Sequence, residues 1–257
     1  MHPIEWLRAI ARSEDVPHGD LASEAAAALA ALAGEPLGML PACRRLLDRH
    51  PEVGPLWWAC ARMLCAADGH AEARAIQGDL AADQVGLSLA LDLPRDVEVS
   101  MVGWSPLARE VAQRRPDLEV GLVHDGGTFA DLDGPGADPP DRGHDQRITD
   151  LEPDLLHRAT GGGSLLLVDG WAAAEAGILA NARAREAALA ARQDGTEAWA
   201  VVGVGRRLPE PLFHAVRRRV AASSDRRLAG ADLLTHDDVT RVVEPLVIPC
   251  PCPPELL

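Results

Sequence analysis

The chain of 257 residues contains no lysine and no tyrosine; all 25 of its basic residues are arginine. A Schiff-base lysine, a Walker-type phosphate loop and a tyrosine general acid are therefore excluded. Positive charge is outnumbered, with a formal net charge of −14 and a pI near 5.0. That balance argues against non-specific binding to nucleic acid or anionic membranes, although it leaves room for a local basic pocket. Long apolar runs are missing: none reaches the roughly 18 residues of a membrane helix, and no charged-then-apolar leader opens the sequence. Cysteines are few and odd in number, namely Cys43, Cys60, Cys65, Cys250 and Cys252. Their spacings fit no zinc pattern, so free thiols in a reducing compartment are expected. The expectation is a soluble cytoplasmic protein with neither nucleic acid nor membrane as a partner, and with no metal or cofactor.

What is present divides in two. Residues 1–92 read as an α-helical domain. Candidate helices are Met1–Arg12, Leu21–Ala33 with Asp20 and Glu24 as its start signal, Pro36–His50, Pro55–Ala67 and Ala71–Leu91. Residues 96–257 read differently. Val97–Val102, Leu118–Val123, Ser164–Asp169, Ala198–Val204 and Leu246–Ile248 are strand-like. Between them Ser105–Arg115, Leu151–Ala159, Asn181–Arg192 and Pro209–Ala222 are helical, and Asp125–Gln146, rich in Gly, Pro and Asp, reads as a loop. Alternation of this kind implies right-handed crossovers and a mostly parallel sheet, hence an α/β fold with a Rossmann-like second domain. Ligands in such sheets bind at the carboxyl ends of the strands.

Those ends carry the candidate chemistry. Asp169 closes an apolar strand, where a carboxylate is costly unless it meets a ligand, water or a partner; Asp150 is a similar case. A segment cap is the bland alternative for each. Ser105 opens a helix and is suited either to capping it or to holding an anion. Arg183, Arg185, Arg206 and Arg207 offer guanidinium groups for a phosphate or carboxylate, or a solvated face. The order Ser105, Asp169, His214 matches that of an α/β-hydrolase triad, but Leu107 stands where the nucleophile elbow needs Gly. Gly161-Gly162-Gly163 precedes its strand and reads as a turn, and Gly203-Val204-Gly205 lacks the next glycine of a dinucleotide fingerprint. Cys250-Pro251-Cys252 and His236-Asp237-Asp238 are too isolated for a metal site.

Several segments resemble one family: the α, β and δ subunits of translation initiation factor 2B, with the methylthioribose-1-phosphate and ribose-1,5-bisphosphate isomerases. They are Gly54-Pro55-Leu56-Trp57-Trp58-Ala59 with Arg62-Met63-Leu64, and Gly103-Trp104-Ser105 after the first strand. Ile148-Thr149-Asp150, Leu166-Leu167-Val168-Asp169, Asn181 and the closing Pro253-Pro254-Glu255-Leu256 are also similar. The resemblance implies a helical N-terminal domain, a Rossmann-like C-terminal domain and a homodimer. In the isomerases a cysteine and the aspartate matched by Asp169 shuttle protons in an aldose–ketose conversion of a sugar phosphate. Here Asp125–Gln146, where that cysteine belongs, contains none, and the lysine expected beside Asn181 is absent. Two functions follow. One is an isomerase-like protein binding a small phosphorylated sugar or nucleotide, with Asp169 and Asp150 as acid/base groups and Ser105, Asn181 and Arg183 holding the anion. The other is a non-catalytic relative that keeps the pocket or the interaction surface.

Overall fold

Leu165, Leu166, Leu167 and Val168 are all buried, a run that only a strand covered on both faces can use. This strand is β4 (Ser164–Asp169) at the middle of a six-stranded parallel sheet. The computed structural model describes residues 3–13, 16–34, 36–95, 97–102, 106–123, 148–151, 164–245 and 247–257. Within them the sheet order is β3-β2-β1-β4-β7-β9, from β1 (Glu98–Val102), β2 (Glu119–Val123), β3 (Ile148–Leu151), β7 (Glu197–Val201) and β9 (Arg241–Val243). The order reverses between β1 and β4, so the crevice at their carboxyl ends is the topological switch point.

Side chains alternate across the sheet as strand geometry requires. Leu165 and Leu167 join Val99, Met101, Val120, Leu122 and Val201 beneath α6 (Val85–Asp92) and α7 (Pro106–Arg114). Leu166 and Val168 face the opposite way, toward α8 (Ala184–Gln193). That helix presents Ala184, Ala187, Ala188 and Ala191, and these small residues let it lie close over Ala198 and Ala200.

Five further helices precede α6: α1 (Pro3–Ile10), α2 (His18–Ala30), α3 (Pro36–Arg49), α4 (Gly54–Cys65) and α5 (Gly69–Ala81). Their core does not stop at the sequence boundary. Leu29, Leu46, Leu47, Trp57 and Trp58 share one apolar cluster with Ala172, Leu179, Val204 and Phe213 from the second half. Phe213 belongs to α9 (Glu210–Ala222). The helical layer is thus packed onto a small antiparallel sheet of β5 (Ala172–Ala174), β6 (Gly177–Ala180) and β8 (Asp232–Leu234).

The structure corrects several sequence expectations. Helix α2 starts at His18, with Pro17 as its N-cap and Asp20 inside the first turn. Proline sets an extended φ there, and an acidic group in the first turn favours the positive end of the helix dipole. The long Ala71–Leu91 run breaks into α5 and α6. Asp83 stops it, accepting from Val85 N at 3.0 Å. The last strand is Arg241–Val243, paired with β7, rather than Leu246–Ile248. Strands β5, β6 and β8 were not anticipated, since Ala172–Ala174 carries no strand propensity and is held by backbone pairing alone. The expected Asp125–Gln146 loop lies outside the described residues. So does most of the expected Leu151–Ala159 helix, whose first residue belongs to β3.

Candidate functional site

Asp169 is nine per cent exposed at the end of β4, beside the switch point. A buried carboxylate needs a partner, and its partner is Arg206, whose Nη1 also donates to Gly170 O at 2.6 Å. Arg206 reaches this place because its backbone is fixed on both sides. Its carbonyl accepts from Ala173 N at 2.8 Å, and its own N–H donates to Gly203 O at 3.2 Å. The tight loop before it requires Gly205 at φ 75°, where a Cβ would sit 3.0 Å from the Trp58 ring. Any larger residue would wedge the loop off α4 and move Arg206.

The helical layer closes the site from above. His18, first residue of α2, lies within electrostatic reach of Arg206, Asp169 and His50. Burial, reinforced by the Arg206 charge, pulls its imidazole down to a pKa of about 4, so it is neutral at pH 7. Its Nδ1 is out of solvent and has no hydrogen-bond partner among the described residues. Pro17 supplies no side-chain cap to α2, and the first N–H groups of this thirteen-residue helix lie next to His18. His50 is buried behind it, with Nε2 donating to Ile10 O at 3.2 Å. Asn181, the only asparagine in the chain, donates from Nδ2 to Val102 O at 2.7 Å and closes the β1 side of the crevice. Its Oδ1 is buried and has no hydrogen-bond partner among the described residues.

The expected site residues are distributed as follows. Asp169 and Asn181 stand on the two sides of the switch point. Arg183, expected to help hold the anion, takes a left-handed φ of 69° at the start of α8 and pairs through Nε with Glu186 Oε2 at 3.0 Å. Asp150 lies on β3, in register with Leu122, and its side chain is outside the described set, as is Ser105 altogether. Of the hydrolase order, Asp169 pairs with Arg206 while His214 on α9 lies 3.6 Å from Glu210 Oε2, and Ser105 lies outside the described residues. Among the described residues no group of three His, Cys, Asp or Glu is placed to hold a metal, and no helix is long and apolar enough to cross a membrane.

The sequence did not single out His18 or His50, and gave Arg206 no preference over three other arginines. Their relation to Asp169 is made only by folding, which brings residues 18, 50, 169 and 206 together. The one local signal for His18 was a proline followed by a polar residue at a helix start.

An arginine with unused donors, a neutral imidazole and a helix N-terminus favour an oxyanion next to the Asp169 carboxylate. Among the described residues, Nη1 makes all the hydrogen bonds of Arg206, which leaves Nε and Nη2 to a ligand.

No protein-family model matches the sequence, and no curated protein is significantly similar to it. Solved structures do match. Initiation factor eIF2B beta from Chaetomium thermophilum has a TM-score of 0.64 at 14% identity, over 94% of this chain and 85% of that one. The delta subunit from the same organism scores 0.61 at 12% identity, over 94% and 96%. The 5-methylthioribose 1-phosphate isomerase from Pyrococcus horikoshii OT3 scores 0.59 at 15% identity, over 94% and 82%. At the level of fold the sequence resemblance holds: this chain has the architecture shared by the eIF2B subunits and the methylthioribose-phosphate isomerase.

Proposed function

We propose that the protein binds a small phosphorylated sugar or nucleotide in the crevice between α2 and the carboxyl ends of β1 and β4. The observation that carries this reading is the Arg206–Asp169 pair beneath His18 at the start of α2, whose buried Nδ1 has no partner among the described residues. The phosphate is taken by the free edge of Arg206 and the first turn of α2. Asp169 and Asn181 then face the polyhydroxyl part of the ligand. The site belongs to one chain, although we also expect a homodimer in the cytoplasm.

A second reading, aldose–ketose isomerisation, is favoured by the carboxylate kept at the end of β4. Asp169 would move a proton between neighbouring carbons, and neutral His18 would relay one between the oxygens. No thiol takes part. Cys43 and Cys60 touch each other in the helical core, while Cys65 ends α4 and Cys250 and Cys252 lie on the C-terminal segment. This separates the chain from the thiol–carboxylate chemistry that the resemblance implied, and makes binding the primary reading.

A thermal-shift screen against sugar phosphates and nucleoside monophosphates tests binding. At least one phosphorylated compound should raise the melting temperature, its dephosphorylated counterpart should not, and Asp169→Asn should alter the preference among sugars. A flat screen removes the proposal. Deuterium entering a bound sugar phosphate from solvent, and lost in Asp169→Asn, would promote the second reading to the first.

A further inference from the structure

After α9 ends at Ala222 the chain doubles back. Ser223 Oγ accepts from Asp225 N at 3.2 Å, Arg226–Leu228 makes one tight turn, and Ala229-Gly230-Ala231 leads into β8. Gly230 takes a left-handed φ of 82° there, which glycine adopts without strain. The return leaves a cavity of about 690 Å³ between α9 and the small sheet, a volume suited to a small ligand. Its floor is aliphatic: Leu179 and Leu233, in register across β6 and β8, with Val220 and Leu228. No aromatic ring is among the described lining residues except the His214 imidazole.

The rim is cationic. His214, Arg217 and Arg218 line one side, and no Asp or Glu is among the described lining residues. Arg217 and Arg218 make no hydrogen bond or ion pair among the described residues. Their neighbour Arg219 shows the structural use of an arginine on this helix. Its guanidinium stacks 4.7 Å from the Trp57 ring centroid, and its Nε faces Asp48 Oδ1 at 3.4 Å. Arg219 is also the one in the last turn of α9, where a cation complements the helix dipole. Neither role accounts for Arg217 and Arg218. Arg218 lies within electrostatic reach of Arg219, and a bound anion would relieve that repulsion.

We infer that this cavity is a second binding site, for a small amphipathic anion. Its oxyanion head pairs with Arg217 and Arg218, and its unbranched aliphatic body covers Leu179, Val220, Leu228 and Leu233. The rim selects the charge, in a chain whose net charge of −14 otherwise repels anions. Guanidinium forks suit carboxylate and phosphate alike. The floor selects the body: sugar hydroxyls would lose water over four aliphatic side chains without gaining partners, whereas a hydrocarbon chain would not. The ligand therefore differs from a sugar phosphate at Arg206. Neither Arg206 nor Asp169 lines the cavity, so the inference stands apart from that site.

Calorimetric titration of the full chain with decanoate and with decyl phosphate, both kept below micelle-forming concentrations, tests the site. Saturable binding of at least one of them is expected, and which one binds tells a carboxylate head from a phosphate head. Affinity should rise roughly threefold per methylene from the six-carbon to the ten-carbon chain. Octan-1-ol should bind far more weakly than the eight-carbon anion. Arg217→Ala combined with Arg218→Ala removes only rim charge and should weaken binding by about tenfold or more. Ala221→Trp, at an exposed lining position, keeps the charges and fills the space, with the same expected loss. Arg206→Lys should leave this binding unchanged. The inference is overturned if neither probe binds, if octan-1-ol binds as well as the anion, if binding survives either rim or cavity variant, or if it is lost in Arg206→Lys. Self-association of the chain that Ala221→Trp abolishes would also overturn it, by giving the cavity to a second copy.

Discussion

Arg62 and Arg206 are both half-buried arginines that hold carboxylates, and they are built differently. Arg62, in the helical layer, reaches Glu72 through Nε and Asp79 through Nη1 at 2.6 Å, and stacks 4.5 Å from the Trp58 ring centroid. It meets two carboxylates and one aromatic face, so the group carries negative charge and repels a further anion. Arg206 meets one carboxylate and one carbonyl, and its neighbour is the His18 imidazole at the positive end of α2. Equal side-chain chemistry therefore serves a finished structural contact in one place and an unfinished one in the other. The unfinished contact is the candidate site.

Substitution separates the two most strongly through stability. Arg206→Ala leaves Asp169, with only 11% of its side chain exposed, without its cation. A loss of about 3–5 kcal/mol in urea unfolding is expected. Arg62→Ala leaves Glu72 and Asp79, at 28% and 34%, free to hydrate. Its cost should be about 1–2 kcal/mol, part of it lost packing on Trp58. Equal losses would break the distinction.

The second effect is a pH dependence. An unfolded histidine titrates near 6.5, whereas folded His18 does so at about 4. Between those values the unfolded chain binds the proton and the folded chain does not. His18 thus contributes stability that is complete above pH 6.5 and drains away as pH falls toward 4. With allowance for the partial exposure of the residue, the change is roughly 2 kcal/mol. His18→Gln should flatten that part of the stability–pH curve, and an unchanged slope would remove His18 from the buried cluster. The smallest effect is that of Asn181→Ala, which loses the 2.7 Å bond to Val102 O and about 1 kcal/mol. A neutral result would show that Asn181 does not brace the switch point.

The two arginine sites also show what a sequence reveals. β4 was legible because Leu165 to Val168 demand burial on both faces, and Asp169 was legible because it breaks that demand at a strand end. The family resemblance reached Asn181 through a short local match. His18 and Arg206 were not legible as a pair, because their meaning comes from a contact between residues far apart in the chain. The Arg206 loop depends on Gly205 fitting against Trp58, a relation that no local pattern carries. The alanine strands of the small sheet were hidden for a related reason: Ala172–Ala174 is chosen by its pairing partners and by the helical layer above it.

The measurement that bears most directly on the site is a calorimetric titration with ribose 5-phosphate and with AMP, on wild type and on Arg206→Lys and Arg62→Ala. Lysine at 206 keeps the charge beside Asp169 and so protects the fold, but loses the planar fork for phosphate. Phosphate-dependent binding to wild type and to Arg62→Ala, weakened at least tenfold in Arg206→Lys, is the predicted result. Binding that survives Arg206→Lys unchanged, or no binding of either phosphorylated probe, would contradict an oxyanion site between α2 and the end of β4.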